Sequence, residues 1–388
     1  MRNNNHSLFY ATVFMLAVIA ILISYIFTNT NFSLSGEKPV LKYWCAFTDW
    51  LSSGREKAPS DDVVFINVAN DKQLVDISDE FGIPLGNAAI TDRSKLVELL
   101  GIIASSPSYK YVLLDIFFEE GYQTETDSAL FTLISGMDRI VIPKHTDGVL
   151  SSEVLGSKAA YADYNISINE DDFTKYRLFW KDGPSMPLRM YTDISGRTVK
   201  KTGLWYSDNG ALSRKVVFPK MHVRIDSPYR FDGQKAYLNL GTDILDYAEE
   251  ENWSEYFDDK FIVIGSFTGG DIHTTYAGDV PGSLINYNVY LSLMKGQHKI
   301  PLGLILFYFF IFFAMAYLLL RGPSETSSQP WGWLWAKLFV LYSAILIIVC
   351  IFVFTVWGQA HDIFITSAFF SIVDVVNRRL KEKKKQNA

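Results

Sequence analysis

The chain has 388 residues, of which 49% are hydrophobic, 15% aromatic and 20% charged, with two cysteines and a formal net charge of −6. That apolar content excludes a disordered chain, and two cysteines exclude a disulfide scaffold. An acidic balance with no clustered basic face excludes general nucleic-acid binding, and length alone predicts two or three folded units. The charge is uneven: residues 28–299 hold 27 Lys and Arg against 38 Asp and Glu, while the flanks are net basic, which predicts two compartments.

Residues 1–7 precede an uncharged run, Leu8–Phe27. At about 1.5 Å per residue it spans a hydrocarbon core of about 30 Å. It is longer than a signal-peptide core and no small-x-small cleavage site follows, so a retained anchor is expected. Residues 300–320 and 338–357 are further uncharged runs, the second flanked by Trp331, Trp333, Trp335 and Trp357 in the manner of interfacial aromatics. A weaker run at 363–376 contains Asp374, whose i, i+4 spacing to Arg378 predicts an ion pair rather than a proton site. The tail 377–388 carries Arg378, Arg379, Lys381, Lys383, Lys384 and Lys385, which the positive-inside bias places in the cytoplasm with the 321–337 loop. Four transmembrane helices follow, one before and three after an outer block at 28–299, with 358–362 as an outer loop and both termini cytoplasmic.

In the outer block, Val63–Val68 is a short β-branched apolar run and predicts a buried strand. Thr91 is the expected N-cap of a helix with Leu96, Leu99, Leu100 and Ile103 on one face. Tyr111–Phe117 predicts a second strand, TETDSALFTLI a helix, and Arg139–Pro143 a third strand. This strand–helix alternation predicts parallel pairing. Residues 150–240, rich in Tyr, Gly and polar side chains, are expected to add antiparallel strands, and Phe261–Ile264 resumes the buried pattern. LINYNVYLSLM then predicts a helix with Leu284, Asn288, Leu291 and the Met294–Lys295 end on a repeating face, leading through KGQHK into the second span. The fold class is an α/β extracytoplasmic domain, a parallel or mixed sheet with flanking helices, plus four transmembrane helices.

Chemistry-bearing residues are sparse. GSFTGGD follows a strand but lacks the Lys of a phosphate-binding loop, so a tight turn is expected. Asp271 and His273 supply only half of a four-coordinate metal site, and hydrogen bonds that order the loop are the simpler expectation. Asp92 and Arg93 head a helix, where the backbone dipole favours acidic groups. Asp115 sits in an apolar strand, where an ionised carboxylate needs a partner. Two readings stay open for it, a ligand site at the carboxyl end of a parallel strand or a salt bridge to Arg93. G-x-S-x-G, Cys–His and His-Glu-x-x-His arrangements are missing, so neither an enzyme nor a cofactor is expected. Cys45 lies just after the first span and Cys350 within the third, which makes a disulfide between them implausible.

The stretches VVFINVANDKQL, ITDRSKLVELL, YVLLDIFFEE, DSALFTLI and DDKFIVIGSFTGGDIHTTYAGDVPGSLINYNVYLSLMKG, in this order over about residues 40–298, resemble the CHASE type 2 domain. This is a sensory module outside the membrane of bacterial cyclases, histidine kinases and related receptors. ADYNISINEDDFTKYR resembles the family's stretch ahead of an arginine, here Arg177. The family's D-x-H-x-T-P is met by Asp271, His273 and Thr275, with Tyr276 in place of proline, and Asn286 and Tyr287 replace a usual His and Ala. The resemblance implies a multi-pass protein of the bacterial inner membrane with a periplasmic ligand-binding domain. Asp92, Arg93, Asp115, Arg177, Asp271, His273 and Thr275 are then the candidate ligand residues. It also implies a dimer. The 377–388 tail is too short for an output domain, so a sensor or relay subunit with a separate effector is expected, and the bilayer is the partner expected of the basic tail. The alternatives are an assembly component of an envelope complex and an extracytoplasmic enzyme.

Overall fold

The computed structural model describes residues 2–30, 36–51, 60–78, 81, 83–163, 174–180, 183–203, 205–230, 232–249, 251–322 and 331–387. Most of the stretch ahead of Arg177, and residues 323–330 of the 321–337 loop, lie outside them. Two compact units emerge, one of residues 1–51, 199–218 and 297–388, the other of residues 52–198 and 219–296.

In the first unit α1 (Arg2–Thr28), α8 (Leu302–Arg321) and α9 (Trp331–Trp357) are long and apolar enough to cross a membrane. α10 (Phe364–Gln386) packs on all three, although it is not apolar enough by the same measure. The fourth apolar run and the basic tail are therefore one continuous helix, a change from the expected short span and separate tail. Asp374 accepts from Arg378 (2.8 and 3.2 Å) and from the Tyr342 hydroxyl (2.9 Å), so the expected i, i+4 pair forms. Lys381 donates to the carbonyls of Leu320 and Gly322 (2.7 and 2.8 Å), satisfying orphan carbonyls at the end of α8. α2 (Glu37–Leu51), not anticipated from the sequence, packs on α9. β10 (Val199–Thr202), β11 (Trp205–Asp208) and β12 (Ala211–Ser213) form the antiparallel sheet expected in the middle of the chain, and β13 (Val216–Val217) follows. Buried Asp208 takes His298 (3.0 Å) and Lys299 (2.8 Å), which ties β11 to the lead-in of α8.

The second unit is built on six parallel strands in the order β14-β1-β15-β4-β5-β6, namely Leu238–Asn239, Val63–Asn67, Phe261–Gly265, Tyr111–Leu114, Ile140–Lys144 and Ala159–Tyr161. Alternate side chains along each strand face opposite ways. Val64, Ile66, Val112, Leu114, Ile142 and Ile264 pack with α3 (Arg93–Ser105), α4 (Asp127–Gly136) and α6 (Trp253–Tyr256) into one apolar core. The other face meets α5 (Met186–Ser195) and α7 (Gly282–Met294). α7 is buried nearly all round, and its Met294 end and Lys295 are exposed, so the expected repeating face does not extend that far. A hairpin of β2 (Lys72–Ser78) and β3 (Pro84–Thr91) precedes α3; β7 (Tyr176–Arg177) is followed by a short hairpin of β8 (Phe179–Trp180) and β9 (Gly183–Pro184), and that of β16 (Ile272–Thr275) and β17 (Gly278–Pro281) precedes α7.

Candidate functional site

Strand ends decide where polar groups gather in this unit. β4 stops at Leu114, so Asp115 stands one residue beyond its carboxyl end instead of within a strand, its backbone N–H donating to the Ile264 carbonyl (2.8 Å). The neighbouring strand β15 ends at Gly265. A Cβ there would lie 2.7 Å from that of Ser283 in α7, so glycine allows the close approach of strand end and helix. Around these ends opens a cleft of about 450 Å³, whose lining includes Lys72, Thr91, Arg93, Asp115, Glu119, Tyr122, His145, Ser266 and Asp271. Carboxyl ends of parallel strands are where open α/β sheets take ligands.

Asp115 accepts from the Asn286 amide (3.2 Å), and Asn286 in turn accepts from the buried Tyr176 hydroxyl (2.6 Å). Burial pushes the Asp115 carboxyl up to about 7, the Asp271 charge adds to the rise, and the Asn286 donor and His273 oppose it. Asp271 and His273 bond each other (3.0 Å), and the Asp271 carbonyl accepts from Gly282 N–H (3.0 Å) at the start of α7. Among the described residues there is no cluster of three or more His, Cys, Asp or Glu side chains able to hold a metal.

Arg93 does not pair with Asp115. It is 2% exposed, its guanidinium lies 4.4 Å from the centre of the Phe118 ring, and its ion partner is Asp127 at 3.6 Å. Its Nε and Nη1 have no hydrogen-bond partner among the described residues. Burial lowers its pKa, with Asp127 opposing. The helix dictates this: Arg93 is the first residue of α3, and the face it shares with Leu96 and Leu100 turns toward α4, whose first residue is Asp127. Lys72 donates to the Thr91 hydroxyl (3.3 Å), and lost hydration lowers its pKa, Asp71 opposing and Arg93 adding to the fall. His145 is held by Asp163 (2.9 Å) and stands edge-on to Phe117.

The cleft thus gathers three of the sequence candidates, Arg93, Asp115 and Asp271, with His273 bonded behind Asp271. The other three have structural partners outside its lining. Asp92, not Thr91, caps α3, accepting from Ser94 and Lys95 N–H (2.9 and 3.1 Å). Thr275 accepts from Ala277 N–H and donates to the Gly278 carbonyl, closing the β16–β17 turn. Arg177 stacks on Trp180, 4.5 Å from its ring centre. Lys72 and Glu119 went unnoticed in the sequence, since nothing in their local pattern sets them apart, and His145 was passed over because it has no ligand-like spacing to Asp271 and His273. Asn286 showed itself only as a departure from a family pattern.

A six-stranded parallel sheet with a polar cleft at its carboxyl edge, in a chain with three helices long and apolar enough to cross a membrane, defines an α/β module of a membrane protein. The CHASE2 domain family matches residues 15–320, well over half of the sequence, and the chain belongs to that family, whose domains are sensory and extracytoplasmic. Neither a curated protein nor a solved structure matches it.

Proposed function

We propose that the chain is a membrane-anchored sensor or signal-relay subunit whose outer domain binds a small ligand in the Asp115 cleft and passes the change to a separate effector. The observation that carries this reading is the Asn286–Asp115 hydrogen bond, which joins the cleft floor to α7. Only residues 295–301 separate α7 from α8 in the chain. A ligand donor that takes the Asp115 carboxyl frees the Asn286 amide, and α7 then settles differently between Tyr176 and the strand ends. The buried Arg93 guanidinium on another wall suits an anionic ligand group, and the carboxyl near neutrality suits a hydroxyl or amine. The sheet unit lies outside a bacterial inner membrane, α1, α8, α9 and α10 cross it, and both termini are cytoplasmic. The packing of α10 on the other three helices and its basic end support the fourth span.

The test is affinity purification of the full chain from native membranes in mild detergent, with mass spectrometry of stoichiometric companions. A kinase, cyclase or other effector is expected. Asn286→Leu should keep that companion while abolishing its response to growth conditions. Envelope structural proteins as the only companions, or a full response from the variant, would overturn the reading.

A further inference from the structure

Helix α2 turns its aromatic side away from the protein. Glu37 and Leu41 are buried, and the helix packs on α9. Tyr43, Phe47 and Trp50 recur at i, i+3 and i+4 spacing on the opposite side, with Leu51 beside them, so they form one stripe. Tyr43 is 76% and Trp50 72% exposed, while Trp44, Phe47 and Trp50 form a ladder with ring centres 5.6 and 6.1 Å apart. Lys42 is the one charged residue among the exposed positions of the helix. In water this arrangement loses the gain of burying aromatic area, roughly 25 cal/mol per Å².

Its setting supplies the missing partner. The helix shares a compact unit with α1 and α9, both of membrane-spanning length and apolarity, and follows the Thr28 end of α1 after residues 29–36. Fifteen residues make about 22 Å of helix, too short to cross a core of about 30 Å. Trp and Tyr favour the headgroup level, and amphipathic helices lie there with their apolar face sunk about 5–10 Å.

We propose that α2 is an interfacial helix lying in the plane of the lipid leaflet at the Thr28 end of α1, with Tyr43, Phe47, Trp50 and Leu51 inserted among lipids. Lys42 reaches up to the phosphates along its aliphatic stem. The helix fixes the depth and rotation of α1 and braces α9 from the side.

The test uses the full chain with Cys45 and Cys350 replaced, carrying one nitroxide label at residue 43, 47 or 50, or at exposed Asp76 as a water-facing reference. The protein is reconstituted in vesicles of phosphatidylethanolamine and phosphatidylglycerol. The ratio of oxygen to nickel-chelate accessibility should be several-fold higher at 43, 47 and 50 than at 76. Equal ratios would place the stripe in water and overturn the proposal. Exclusion of both reagents would mean that protein, for example a second copy, covers the stripe, and would overturn it too. Wild-type-like elution of each labelled protein in size-exclusion chromatography checks that it is folded.

Discussion

On one face of the six-stranded sheet α3, α4 and the α6 region pack Leu96, Leu100, Leu130, Ile134 and Phe257 against apolar strand residues, with the buried Arg93–Asp127 pair at the starts of α3 and α4. On the other face, α5 and α7 bury polar groups and join several of them by hydrogen bonds. The Tyr111 hydroxyl donates to Asp193 (2.7 Å), and Asn286 links Tyr176 to Asp115. The Asn288 carbonyl oxygen accepts from the N–H groups of His222 and Val223 (2.7 and 2.9 Å), and its amide donates to the Val223 and Leu284 carbonyls. Apolar packing is non-directional and scales with area, whereas a hydrogen-bonded network holds one geometry and penalises every other. The first face contributes stability and the second sets position, and the cleft floor belongs to the second.

Substitutions separate the two. Leu100→Ala removes a fully buried side chain from the apolar face and should cost about 2–5 kcal/mol, seen as a large fall in the melting temperature of the detergent-solubilised chain. Asn288→Leu leaves the N–H groups of His222 and Val223 without their acceptor, and should cost about 1–3 kcal/mol. It should also increase hydrogen exchange at residues 222–223, whereas exchange around Leu100 should stay unchanged. If Asn288→Leu loosened the whole unit as far as Leu100→Ala does, the division between the faces would be wrong.

The apolar face was the legible one. Short β-branched runs announced β1, β4, β5 and β15 within a residue or three of their ends, because a parallel strand covered on both faces has little choice of composition. The polar face was not legible, since its bonds join residues far apart in sequence. Asn286 and Asp115 are 171 positions apart, and nothing around either names the other. The Arg93–Asp115 pairing failed for the converse reason: a closer carboxylate, Asp127, heads the adjoining helix. α5 was missed because residues 150–240 were read as antiparallel strands from their Tyr, Gly and polar content; its Pro187 sits in the first turn, where proline is compatible with a helix. The aromatic residues of α2 stand at i, i+3 and i+4 spacing in the sequence, yet the helix was not anticipated from it. It reads as neither a soluble surface helix nor a span, and its meaning came only from seeing which side the protein covers.

The remaining effect is the most diagnostic, because its sign is opposite. The Asp115 carboxyl is held up to about 7 in the folded chain, first by burial and then by Asp271, against an ordinary value of about 4 in the unfolded one. Below about pH 4 both states are protonated and the group contributes no pH dependence. Between about 4 and 7 the unfolded state loses its proton while the folded state keeps it, so stability falls as pH rises, and it levels off above about 7. Asp115→Asn retains a similar shape and an acceptor for the Asn286 amide, but it cannot ionise. The variant should therefore match the parent near pH 4 and melt at a higher temperature than the parent at pH 8, with a flatter profile between. A group placed for stability would show the reverse, a loss on substitution at high pH. That reverse result would return Asp115 to the ordinary class of paired structural carboxylates and remove the strongest physical reason for placing the ligand at the end of β4.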